Sequence, residues 1–441
     1  MKKDAYEDLI GEISKQLAEK ILSEEGDLAD RVKTIDGDIA VLVRDVGLQT
    51  SKLILQKTCD EKVAKKKAQG LKPNRNSVIV YNVIFGSMEL SSPYLWSNGE
   101  SSKPMIHDLG ITHHGRTETV NRALTDFGIE DSFAQASKRF REHYGFQLSE
   151  STVDRVTKDS GHRAEVYLKQ KLLMAKDSQG KAAQSDGPSD PVVVELDGCE
   201  IRTGTLVPVE NGPEDKELEK KKVIKWRDVR VGLARPLHSG SKLYVAQMEK
   251  YPEVISQLAC VASMMGMGEE TEVIGVADGG KGVREGLENQ FPGMQFILDK
   301  SHLKKHLYET SEALGYKEKH QHQWVHSKLD EISSGNVQEV LENLVTRNGA
   351  EPNDRLRQFV GYLTRFEEAV DYDHFKELGY PIGSGEVESA HKSIPQKRLK
   401  LPGACWHPCS INPMLALRVI RANGWWDDYW TYRISGRMLA A

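Results

Sequence analysis

The apolar positions fall into two periods. LIGEISKQLAEKIL places Leu9, Ile10, Ile13, Leu17 and Ile21 on one helical face, and a second helical series runs from Ile39 to Leu55, followed by Lys62, Lys65, Lys66 and Lys67 and a break at Gly70 and Pro73. SVIVYNVIF, Ser77 to Phe85, reads as a strand, and Ser91 to Lys103 as a polar loop. Between Asp131 and Gly161 the period is helical again, with Phe133, Ser137, Phe140 and Tyr144 on one face. Gly145 then permits a turn, and Ser149 is placed to cap a second helix, with Leu148 available to pack on Val153. Two helices joined in this way predict a helix-turn-helix whose second helix exposes Arg155 and Lys158. That helix is expected to reach about Ala175, before the aperiodic KDSQGKAAQSDGPSDP.

Beyond this stretch, strands are expected over Val192–Ile201, Gly204–Val209, Val223–Leu237 and Lys242–Met248, around a charged loop from Asn211 to Lys222. Helix follows over Val254–Met267, strand over Glu272–Ala277, helix over Val283–Phe291, strand over Met294–Leu298, and helix from His302 onward. A strand meander followed by alternating helix and strand is the element order of an RNase H-like fold. The expected class is therefore α/β: an RNase H-like domain over 191–310 and 376–441, with a helical insertion over 311–375. Ahead of it come a helical arm over 1–75, a mostly helical region over 76–175 and a linker over 176–190.

The 441 residues, 39% apolar and 28% charged, suit a globular chain of more than one domain, and no apolar run reaches the roughly 18 residues of a membrane span. The expectation is a cytoplasmic, nucleoid-associated protein. Five scattered cysteines argue against a disulfide framework; Cys405, His407 and Cys409 cluster without an evident fourth zinc ligand. The net charge of −5 conceals a basic carboxyl-terminal part, in which eight Lys and Arg stand against two acids from Ala390 onward. Lys397, Arg398 and Lys400 in that part are expected to meet DNA phosphates.

Asp197 lies late in its strand and Asp278 ends one, and each precedes a glycine, which lets the backbone turn away from the carboxylate. Glu388 opens a later helix after Gly383, Ser384 and Gly385. Three such acids make an oxygen-rich pocket for Mg²⁺ or Mn²⁺, and two ions about 4 Å apart could act on the attacking and leaving oxygens of a phosphodiester. Glu195 and Glu386 compete for the same roles, although Glu386 and Glu388 face different ways on a helix. His302 and His306 share a helix face, which would also suit a transition metal, and His302 is read as a hydrogen-bond donor or proton shuttle beside the phosphodiester.

VVVELDGCEI, VIGVADGG, FILDKSHLKKHL, YPIGSGEVESAHK and NGWWDDYW together resemble the Kra-type insertion-sequence transposases, over about residues 130 to 430. The resemblance implies a bacterial DDE-type enzyme with Asp197, Asp278 and Glu388 as catalytic metal ligands, spaced by 81 and 110 residues, and an acid-x-x-His element at Asp299 and His302. It further implies binding of terminal inverted repeats, transfer of a 3′-hydroxyl end into target DNA, and assembly of several copies on double-stranded DNA. A DNA-binding regulator without catalysis and a metal-dependent nuclease are the alternatives. Two departures stand out: no cysteine pair occurs between Pro93 and Pro104, and Pro395 is expected to end or kink the helix that carries Glu388.

Overall fold

The computed structural model describes residues 6–23, 32–97, 99–178, 190–208 and 220–436. Most of the expected linker (179–189) and of the charged loop (211–219) lies outside the described residues. The chain divides into two compact units, Met1–Ala123 with Ser137–Leu148, and Leu124–Ala136 with Ser149–Ala441. It is a mixed α/β structure with two separate sheets.

The first unit contains helices α1 (Glu7–Leu22) and α2 (Ile35–Ala68), strands β1 (Lys72–Val83), β2 (Gly86–Ser97) and β3 (Glu100–Ser102), the short α3 (Pro104–His107) and β4 (Gly115–Arg116). Ser91 to Lys103, expected as a polar loop, mostly belongs instead to a hairpin in which β2 pairs antiparallel with β1. Its serines hide an alternation that buries Met88, Leu90 and Ser92, with Leu95 buried beyond a register shift, while the Gln56 amide accepts from Ser91 N (2.8 Å) and donates to Ser91 O (3.3 Å). Cys59 and Val63 of α2 share a core with Leu71, Ile79, Val83 and the β2 residues, so the expected boundary at 75 falls inside one packed body.

The division between units passes through helices α4 (Glu118–Glu130) and α5 (Phe133–Tyr144). Gly145, where a turn is expected, lies at φ +76°, in the left-handed region. α6 (Glu150–Ser178) begins under Ser149, whose hydroxyl accepts from Thr152 N at 3.3 Å.

The second unit is built on a five-stranded sheet. β5 (Val192–Pro208), β6 (Lys220–Pro236) and β7 (Leu243–Gln247) form the antiparallel meander; helix α7 (Tyr251–Met264), β8 (Val273–Ala277), α8 (Val283–Gln290) and β9 (Gln295–Leu298) follow. The spatial order is β7-β6-β5-β8-β9, with β8 parallel to both β5 and β9. The two expected strands from Val192 to Val209 are one continuous strand of 17 residues. Alternate side chains of β6 serve two cores: Val229, Val231 and Leu233 face one, Ala234 the other.

After β9 the chain is helical through α9 (Lys300–Ala313), α10 (Glu318–Ser333), α11 (Val337–Ala350), α12 (Asp354–Arg365) and α13 (Tyr372–Glu377), and then enters α14 (Gly385–His391). Pro395 does not end this helix. Lys392–Gln396 widens into a π turn in which Lys397 N–H reaches back to Lys392 O, and Lys397–Leu399 resumes the α geometry. The wider turn needs substitutes for the missing proline donor. Ser393 Oγ donates to Ala390 O at 3.2 Å, and the buried Arg418 guanidinium donates to Ser393 O and Ile394 O. Arg418 belongs to α15 (Ile411–Ala422); α16 (Trp426–Ser435) is the last helix described.

Candidate metal centre

Leu196 on β5 pairs with Ala277 on β8, so the next residue of each parallel strand, Asp197 and Asp278, emerges side by side. Each carboxylate is steadied by the glycine backbone after it: Gly198 N donates to Asp197 Oδ1 at 2.7 Å, and Gly280 N to Asp278 Oδ1 at 3.0 Å. Gly279 is required for a different reason. A Cβ there would stand 2.3 Å from the Tyr362 ring of α12, which packs over the turn. Burial, then the charges of Asp278 and Asp299, push the Tyr362 phenol upward, and its hydroxyl is buried without a hydrogen-bond partner among the described residues.

His302 joins these acids from the first turn of α9. Asp197, Asp278 and His302 each offer one ligand atom within 4.8 Å of the others, and they are the sole such metal-capable group among the described residues. Asp299 accepts from His302 N (2.7 Å) and lies 3.1 Å from its Nδ1, which turns Nε2 into the ring's free atom. Burial opposes the charge on Asp299, but hydrogen bonds from His302 and Ser384 outweigh it and hold this carboxyl well below its usual range. The same contact raises the titration of His302 against the opposing effect of burial.

Two buried carboxylates also fix α14. Asp299 accepts from the backbone N (2.6 Å) and hydroxyl (2.7 Å) of Ser384, and Glu195 accepts from Val387 N at 2.9 Å. Glu195 is 1% exposed, and burial pushes its carboxyl up to about 7. Glu386 is held by Arg235 and Lys242, each at 3.0 Å. Glu388 is exposed on α14 and stands outside the three-residue group; its charge acts on His391 one turn later. The sequence pattern does not single out His391. It is 3% exposed, its Nε2 lies 3.4 Å from Asp197 Oδ2, and neither ring nitrogen makes a hydrogen bond among the described residues. Burial, opposed by Asp197, lowers its titration. The only signal available was its position three residues after Glu388 on the same face.

The expected DNA contacts separate sharply. Arg155 is exposed on α6, whereas Lys158 is paired with Asp154 at 2.8 Å. Lys397 is exposed and paired with Glu130, and Lys400 is exposed, with a charge that reaches both Cys199 and His391. Arg398 corrects the reading of this run as uniformly phosphate-facing. It is 3% exposed, donates from Nε to Gly128 O at 2.8 Å, and lies over the rings of Phe133 (4.6 Å) and Trp406 (4.7 Å). Burial lowers its titration to about 10. Cys405 and His407 do not complete a metal group; His407 Nδ1 meets Cys409 Sγ at 2.8 Å. No helix among the described residues is long and apolar enough to cross a membrane.

No family model and no curated relative matches this chain. Among solved structures, the Drosophila P element transposase strand transfer complex is similar over 76% of this chain and 84% of that chain, at 10% identity and a TM-score of 0.26. A likeness that distant carries no argument about chemistry, which rests on the residues above.

Proposed function

We propose that this chain is a DDE-type transposase of a bacterial insertion sequence, of the Kra type that its motifs resemble, with an RNase H-like catalytic domain and a helix-turn-helix that binds element ends. The observation that carries this reading is the convergence of Asp197 within β5, Asp278 just past the end of β8 and His302 at the start of α9. The strand order and the helical block between β9 and α14 support it.

Two carboxylates and one imidazole suit a divalent ion, and the nitrogen donor favours Mn²⁺ over Mg²⁺. Such an ion, or a pair with Glu388 as a further ligand, would supply Lewis acidity to the phosphodiester and lower the pKa of an attacking oxygen. Asp299 fixes the His302 ring so that Nε2 either completes the ligand set or donates a hydrogen bond to a phosphate oxygen. Lys400 neutralises phosphate at the rim, Arg155 contacts base edges of the terminal repeats, and several copies assemble on the DNA. The role of Glu388 rests on the exposed place of α14 beside His391 and on the engagement of Glu386 elsewhere.

Pre-cut end DNA incubated with plasmid and Mg²⁺ or Mn²⁺ tests the reading. The wild type joins the two. Asp197→Asn, Asp278→Asn and Glu388→Gln fold and bind end DNA but do not join, a loss of at least a hundredfold for each, whereas Glu386→Gln joins. Joining that survives all three amide substitutions rules out the mechanism; cleavage without joining identifies a nuclease instead.

A further inference from the structure

The strand pair β5–β6 is longer than the sheet that contains it. β8 pairs with β5 only over Val192–Leu196, and β7 with β6 only over Arg230–Ala234, yet β5 and β6 remain paired out to Pro208 and Lys220. Their outer halves form a two-stranded ribbon whose strand contact to the rest of the unit is a bridge between Thr203 and Trp406. A bare ribbon of this kind is marginal by itself, and its composition is unusual for a structural extension. Arg202, Lys220, Lys221, Lys222, Lys225 and Arg227 are all exposed, against Glu200 and Asp228, and none of the six makes an ion pair among the described residues.

The register assigns these cations to faces. Asp197 stands opposite Val231, so alternation puts Arg227, Lys225 and Lys221 on the Asp197 face, at four, six and ten residues from Val231. At about 3.3 Å per residue they reach roughly 13, 20 and 33 Å from the acidic site, which matches about one turn of duplex, ~34 Å. Lys220, Lys222, Arg202 and Trp226 occupy the other face, with Arg202 and Trp226 directly paired across the strands. Trp226 is 58% and Leu206 65% exposed, an apolar surface that calls for a partner.

We infer that the outer β5–β6 ribbon is a second DNA-binding element, which lies along or within the major groove of the duplex being processed and leads from its phosphates to the Asp197 site. Exposed cations that make no ion pair among the described residues, a ribbon narrow enough for a groove about 12 Å wide, and continuity with the acid-bearing strand favour duplex DNA. The segment joining the strands carries Glu210, Glu214, Asp215, Glu217 and Glu219 against Lys216, so the contact is assigned to the shaft and not to the tip. The inference rests on the DNA-acting reading of the site.

The test compares full-length wild type, a K221A/K222A/K225A/R227A variant and the charge-preserving K221R/K222R/K225R variant on duplex DNA across a salt series, with light scattering for subunit number. The alanine variant should lose at least tenfold in affinity at low salt. The slope of log K against log salt should shrink by about 0.9 for each contact removed, while the arginine variant stays near wild type. An alanine variant that binds as the wild type does overturns the inference while leaving the proposed function standing. Unchanged binding with an altered subunit number overturns it in favour of a contact between copies. A wild type that binds no duplex overturns the proposed function together with this inference.

Discussion

Two basic stretches of this chain carry similar charge and lead opposite lives. Lys397 to Lys400 follows α14 in a compact part of the second unit, where the middle cation is sealed against two aromatic rings and a backbone carbonyl. Lys220 to Arg227 lies on a ribbon with no third strand, and every cation in it is exposed. A run of lysine and arginine therefore states a charge but not a destination. What decides is whether apolar partners are within reach of the long stems, as Phe133 and Trp406 are for Arg398. Arginine suits the buried role because its flat guanidinium stacks and bonds at once, whereas lysine must keep its ammonium hydrated.

The largest expected effect is on Arg398. Arg398→Ala should destabilise the protein by about 2–4 kcal/mol in urea unfolding, from a lost charge-assisted hydrogen bond and two desolvated ring contacts, with no change in the salt slope of DNA binding. A stable variant with a reduced slope would erase the contrast between the two stretches. Lys400→Ala sharpens it from the other side: the salt slope should fall by about 1, with a stability change within roughly 0.5 kcal/mol. Lys397→Ala is the smallest. Its exposed pair with Glu130 is worth about 0.5 kcal/mol or less in a denaturation midpoint, since Glu130 keeps Arg418, and its slope change should be below that of Lys400→Ala.

The sequence was legible where chemistry and backbone geometry coincide. Asp197 and Asp278 could be found because each is an acid in or just past a strand with a glycine after it; the adjacency of β5 and β8 then brings them together, although β5 itself runs on to Pro208. His302 was legible through Asp299, three residues earlier, which caps the helix that carries it. Glu195, one competitor for a catalytic role, anchors α14 through Val387, a contact that only the packed structure reveals. The hairpin of the first unit was not legible because Ser87, Ser91, Ser92 and Ser97 mask a two-residue alternation, and the pairing that rescues them is supplied by β1 and Gln56. Nor could Arg418 be recognised as the donor to the proline-containing turn, since the two are 23 or more residues apart in the chain and meet only once α15 is packed.

The π turn at Lys392–Gln396 sets the phase of everything after it. One additional residue in a helical turn rotates the following side chains by about 100°, so a plain α-helix through this segment would present a different residue to Phe133 and Trp406 than Arg398. The extra residue thus works as a phase shifter between two anchors on one helical rod. At one end Val387 N–H is held by Glu195 and His391 lies beside Asp197; at the other Arg398 lies over Phe133 and Trp406, an arrangement that unbroken α periodicity through the same residues would not provide. Closing the π turn to plain α geometry with no residue removed would bring Lys397 to where Arg398 now lies over the rings, and would turn that guanidinium outward.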